Sequence, residues 1–231
     1  MVAAVALALA FLVRSSAAAE TISATSSAPP ASAASSTLRV LVRVDTHAAV
    51  QHVRLPELIR NVQAIWKPYA DIVFADIADL AGDGYDDEIS LVVAEPPGSA
   101  ASGASALGWI TFVSPGQPAN VVTVSVATAR NLMSRSSWMG LRFERLPMDL
   151  RQQLVTRAVG WSAAHEIGHY LLRTGTHSKG GLMEAELTAL DVMRNDRKWV
   201  QLAPGEVEIL RRRASRTPLL ADTAPPPAGS E

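Results

Sequence analysis

Three of the chain's five histidines, His165, His169 and His177, lie within one short segment, "HEIGHYLLRTGTH", with Glu166 beside the first. His165 and His169 are four residues apart. On a helix that spacing stacks both imidazoles on one face, one turn apart, so that they can converge on a single ion. Glu166 is rotated about 100° from His165. Its carboxylate can then lean over the site and hydrogen-bond a water without binding the ion itself. This is the H-E-x-x-H arrangement, in which zinc lowers the pKa of its water toward ~7 and the glutamate takes the proton.

A catalytic zinc needs a third protein ligand and one open position. His177 is the natural candidate. On a continuous helix it would lie about 12 Å along the axis from His169, too far to share an ion with Zn–N bonds of about 2 Å. The helix must therefore end between them. Gly175 is the expected breaking point, because glycine adopts the left-handed backbone that turns a chain at a helix C-terminus. Thr174 and Thr176 do not favour continuation either. Glu184 and Glu186 are rival carboxylate ligands, as a third or as a closing fourth.

The segment resembles the metzincin clan of zinc metalloproteases, whose pattern is H-E-x-x-H-x-x-G-x-x-H followed by a methionine-containing turn. His165, His169 and His177 match its zinc ligands, Glu166 its base, and "GGLM", ending in Met183, its Met-turn. The clan places its third histidine six residues after the second; here the interval is eight, and Leu172 occupies the glycine position. The resemblance implies a Zn2+-dependent endopeptidase acting on protein or peptide. It also implies a twisted sheet over the active-site helix, with Met183 as an apolar floor beneath the metal. An edge strand near "SALGWITF" (105–112) would pair with extended substrate.

Composition bounds the alternatives. A chain of 231 residues, 48% hydrophobic, can bury one substantial core. It has no cysteine, so any metal must sit on nitrogen and oxygen. A net charge of −1 gives no electrostatic footprint for nucleic acid or an anionic membrane. Residues 1–19 read as a signal peptide: an apolar run, too short to span a bilayer, followed by small residues. The expectation is therefore a secreted or periplasmic protein. A Ser/Ala/Pro tether (20–36), a metallopeptidase domain (37–216) and a disordered tail (217–231) would follow.

The elements that must position the site follow from periodicity. Valine-rich alternation predicts a strand over 38–45, and an apolar stripe from Leu55 to Trp66 predicts an amphipathic helix entered at Pro56. Further strands are expected at 71–77, 88–95, 106–113 and 120–127, the last two around the turn "SPGQPA". A long helix should run from about Pro147 to Leu172, and "PGEVEILRRRA" should form a final one. Clustered strands followed by helices indicate an α/β (α+β) fold, a twisted mixed sheet packed on the long active-site helix.

Other residues read more plainly. His47 and His52 are expected on the surface, and Arg211, Arg212 and Arg213 as a solvated or helix-end charge cluster. "DGYDDE" (83–88) has the oxygen density of a calcium loop without its spacing, and reads as a solvated turn. Trp161, a turn before His165, reads as core. Two rival functions remain beside the peptidase: a secreted binding or scaffold domain with a structural zinc, and a zinc hydrolase of a non-peptide amide.

Overall fold

The computed structural model describes residues 37–46, 51–77, 84–94, 106–194 and 197–216. The expected leader, tether and tail, and His47, lie outside them. In chain order the main elements are β1 (Leu38–Thr46), α1 (Leu55–Trp66), β2 (Ala70–Asp76), β3 (Asp87–Ala94), β4 (Gly108–Ser114) and β5 (Gln117–Ser125). Then come α2 (Val126–Ser134), the short hairpin β6 (Ser137–Trp138) and β7 (Leu141–Arg142), α3 (Met148–Leu172), α4 (Ala189–Arg194) and α5 (Pro204–Arg216).

The sheet order is β2-β1-β3-β5-β4. The first four are mutually parallel, and β4 runs antiparallel to β5 at the edge. Alternate residues point to one face, so Val40, Val42 and Val44 join Ile89, Leu91, Val93, Val122 and Val124 in one core. Leu58, Val62 and Ile65 of α1 and Ala158, Val159, Ala163 and Ile167 of α3 complete it. Of the intervening positions, Arg39 and Arg43 carry charge and pair with Asp71 and Glu88 on the neighbouring strands. The expected mixed sheet on a long helix is thus what the chain builds.

From Leu154 onward α3 is buried on nearly every side, which is why its sequence shows no apolar stripe. Trp66 of α1 reaches it with its polar edge, donating Nε1–H to the Ala164 carbonyl at 3.2 Å. The last predicted strand ends earlier than expected. Ser125 caps a new helix, its Oγ accepting from the Thr128 N–H at 3.1 Å, so residues 126–127 begin α2 instead of extending β5.

Asp87 ties three elements together. Its side chain, only 8% exposed, accepts from Arg213 of α5 (2.6 and 2.8 Å), from Arg173 (3.3 Å) and from the Tyr170 hydroxyl (3.1 Å). Arg213 also donates to the Leu171 carbonyl at 2.8 Å, covering the end of α3. Burial and the neighbouring Asp87 charge push the Tyr170 phenol pKa upward, so it stays a donor. One expectation is corrected here. Arg213 is a partly buried clamp and not a solvated charge. Where it is described, the 83–88 turn faces solvent as expected: Gly84, Asp86 and Glu88 are exposed, with Asp86 accepting the Arg39 N–H at 2.7 Å and Glu88 pairing with Arg43. Among the described residues they form no calcium cage.

Asp87→Ala would strand the Arg213 charge against α3. The expected loss is about 3 kcal/mol, the low end for a broken buried pair because Arg173 is partly exposed. Urea unfolding measures it; a midpoint equal to the wild type's would remove Asp87 from this role.

Candidate metal centre

The turn that delivers His177 begins one residue after the helix. Arg173 takes the left-handed conformation (φ 56°, ψ 37°), with its N–H directed to the Tyr170 carbonyl at 3.3 Å. The Thr174 N–H reaches the His169 carbonyl, also at 3.3 Å, which completes a Schellman motif. Gly175, expected to be the breaking point, is not left-handed; a Cβ there would meet only the Phe112 ring, at 3.5 Å. The reversal therefore falls on an arginine, at a backbone cost of about 1–2 kcal/mol. Its side chain offsets that cost through Asp87 and by lying over the Tyr170 ring, 4.6 Å from its centroid. Of the two extra residues before His177, one lengthens the helix past the resembled glycine position and one lengthens the loop.

Three imidazoles meet as a result. His169 Nε2 lies 3.0 Å from His165 Nε2 and 3.3 Å from His177 Nε2, and the ligand atoms of all three fall within 4.8 Å of one another. Nitrogens bound tetrahedrally at about 2.05 Å would be separated by about 3.3 Å. The opposite edges of two rings fix their protonation. His165 Nδ1 lies 2.7 Å from the Leu182 carbonyl, and His169 Nδ1 lies 2.7 Å from the Thr174 carbonyl. A carbonyl only accepts, so both Nδ1 atoms carry the proton and both Nε2 atoms present lone pairs. Facing lone pairs at 3.0 Å repel unless a cation lies between them, so the donor set fits a divalent nitrogen-binding metal such as zinc. Burial lowers the His165 pKa to about 4 and also lowers that of His169. Both rings stay neutral at pH 7, the state a ligand requires.

The loop carrying the Leu182 carbonyl is itself held. Ser178 N–H donates to the Met183 carbonyl and Leu182 N–H to the Gln201 carbonyl, each at 2.8 Å. The Ser178 hydroxyl bonds Glu206, whose other oxygen accepts the Ala203 N–H at 2.7 Å in the first turn of α5. Met183 is buried against α3 at Gly168, next to His169.

Glu166 is 7% exposed, and burial raises its carboxyl pKa to about 7. Strand β4 crosses directly above it: a Cβ on Gly108 would fall 2.9 Å from Glu166 Cγ and 2.6 Å from Ser162 Oγ. Strand and helix border an open cleft of about 1240 Å³, lined by the three histidines, Glu166, Trp109, Ile110 and Trp161. Trp161 thus serves core and cleft together. Glu184 and Glu186 line the cleft without joining the histidine cluster. His52 is exposed and lies apart from that cluster.

No protein-family model matches the chain, and no curated protein does. Among solved structures it is similar to an archaemetzincin from Methanopyrus kandleri, with 16% identity and a TM-score of 0.44 over 78% of this chain and 97% of that one. It is also similar to a zinc-dependent peptidase from Methanocorpusculum labreanum, with 16% identity and a TM-score of 0.39 over 74% of this chain and 99% of that one.

Gly168 leaves no room for a methyl group: a Cβ there would lie 2.3 Å from Met183 Sδ. Gly168→Ala is expected to cost about 1–3 kcal/mol. By displacing the loop it should also weaken metal binding through the Leu182 carbonyl. Thermal unfolding and metal titration of one preparation check both, and unchanged values would show that Met183 does not brace the site.

Proposed function

We propose that this chain is an exported zinc-dependent endopeptidase. The observation that carries the reading is the convergence of three imidazole Nε2 atoms beside a buried glutamate, in a cleft bordered by an edge strand. His165, His169 and His177 would hold zinc, which when bound supplies Lewis-acid polarisation and eases deprotonation of water. Glu166 accepts a proton from the attacking water at its carboxylate and returns it to the leaving amine nitrogen. A carboxyl placed near neutrality by burial is suited to both transfers. Substrate backbone pairs with the free edge of β4, which the sheet leaves unpartnered among the described residues. Export rests on the apolar run and small residues of the first 19 positions.

A structural zinc would need a fourth protein ligand to close its coordination, and among the described residues none joins the three histidines. A peptide library alongside non-peptide amides separates the peptidase from the other rival.

Glu166→Gln should bind metal like the wild type while hydrolysis falls by about 10²–10⁴-fold. Metal content and peptide cleavage, measured on the same samples with and without chelator, decide the matter. Wild-type turnover by the variant, or full activity after complete metal removal, would end the proposal.

A further inference from the structure

Between α2 and α3 the chain reads "SRSSWMGLRFER", residues 134–145. It folds as the β6–β7 hairpin, whose two central residues are both left-handed, Met139 at φ 49° and Gly140 at φ 82°. Two-residue hairpin loops of this kind favour Asn-Gly, because a larger side chain at the first position strains the backbone. Here the strained position holds a methionine that is 90% exposed. Leu141 beside it is 49% exposed, and Met148 shortly after is 75% exposed. The base is firmly seated: Phe143 is buried and donates its N–H to the Ser136 carbonyl at 3.2 Å. The hairpin thus presents apolar side chains to solvent at a conformational cost.

Its surroundings are cationic. Residues 130–151 hold five arginines against two acids, in a chain whose net charge is −1, and Asp149 is already paired with Arg54. Arg130 and Arg151 line a second cavity of about 340 Å³ with Asn131, Phe143 and one carboxylate, Glu144, which leaves its charged lining net positive. Arg151 Nε is buried without an acceptor, the one such side-chain atom among the described residues. A buried donor on a charged group is costly to leave unmatched.

We propose that the β6–β7 hairpin docks this protein on an anionic phospholipid surface. Met139 and Leu141 enter the interfacial layer, while Arg130 and Arg151 take a headgroup phosphate. No helix among the described residues is long and apolar enough to cross a membrane, so the attachment is peripheral. Asn131 lines both this cavity and the main cleft. Helix α2 therefore stands between the docking face and the histidines, and would hold the cleft beside the bilayer.

Sedimentation of the full chain with vesicles tests this, using phosphatidylcholine alone and phosphatidylcholine mixed with phosphatidylglycerol. The wild type should prefer the anionic vesicles, and added salt should weaken binding. Arg130→Gln/Arg151→Gln should lower that affinity at least about tenfold, each arginine being worth about fivefold. Met139→Asn should lower it too while raising the unfolding temperature, because asparagine suits the turn, so weaker binding cannot be blamed on misfolding. Equal binding to neutral vesicles, or undiminished binding by either variant, overturns the proposal. Self-association abolished by Met139→Asn, without vesicle binding, would overturn it in favour of a second copy of this chain.

Discussion

Two ring nitrogens bound to main-chain carbonyls, His165 to Leu182 and His169 to Thr174, set the direction of two of the three lone pairs a metal would need. Neither carbonyl belongs to the helix that carries the histidines; both come from the chain that follows it. The helix supplies spacing, and the returning loop supplies orientation and tautomer. Without that return, His165 and His169 would be two polar groups on a buried helix, each free to rotate or exchange its proton. The same loop brings in His177 and seats Met183 against Gly168.

The return path is held by groups remote from the rings. Arg173 turns left-handed because its N–H and that of Thr174 close over the last helical carbonyls while its guanidinium reaches Asp87. Asp87 begins β3, and Arg213 extends the same contact to α5. Glu206, in the first turn of α5, binds the residue beside His177. The C-terminal helix thus serves the site twice, at the end of α3 and at the loop. On the opposite wall, β4 approaches closely enough at Gly108 to keep Glu166 out of water, and that burial places its pKa near 7.

Much of this was legible in the residues. The four-residue interval, the glutamate inside it and a third histidine beyond a helix end required three converging rings, and the valine alternation required the sheet. The position of the turn was not legible. Gly175 offered the usual signal, but the conformation falls on Arg173, where an ion pair and an aromatic ring beneath the guanidinium outweigh local preference. Contacts distant in sequence explain the other differences. Nothing near Arg213 announces a buried aspartate at 87, so that arginine looked solvated. Helix α2 was hidden behind a valine-rich strand, although Ser125 was a readable cap. The net charge of −1 averaged away the arginine excess around the β6–β7 hairpin.

The arrangement as a whole sets three imidazole rings beside a buried carboxyl, in an open cleft bordered by an edge strand. Its chemistry depends on three rings sharing one ion. Zinc titration of the metal-free protein, run in parallel on His177→Ala, addresses that directly. The account predicts one zinc per chain for the wild type and a marked loss of affinity for the variant. An unchanged zinc affinity in His177→Ala would contradict it.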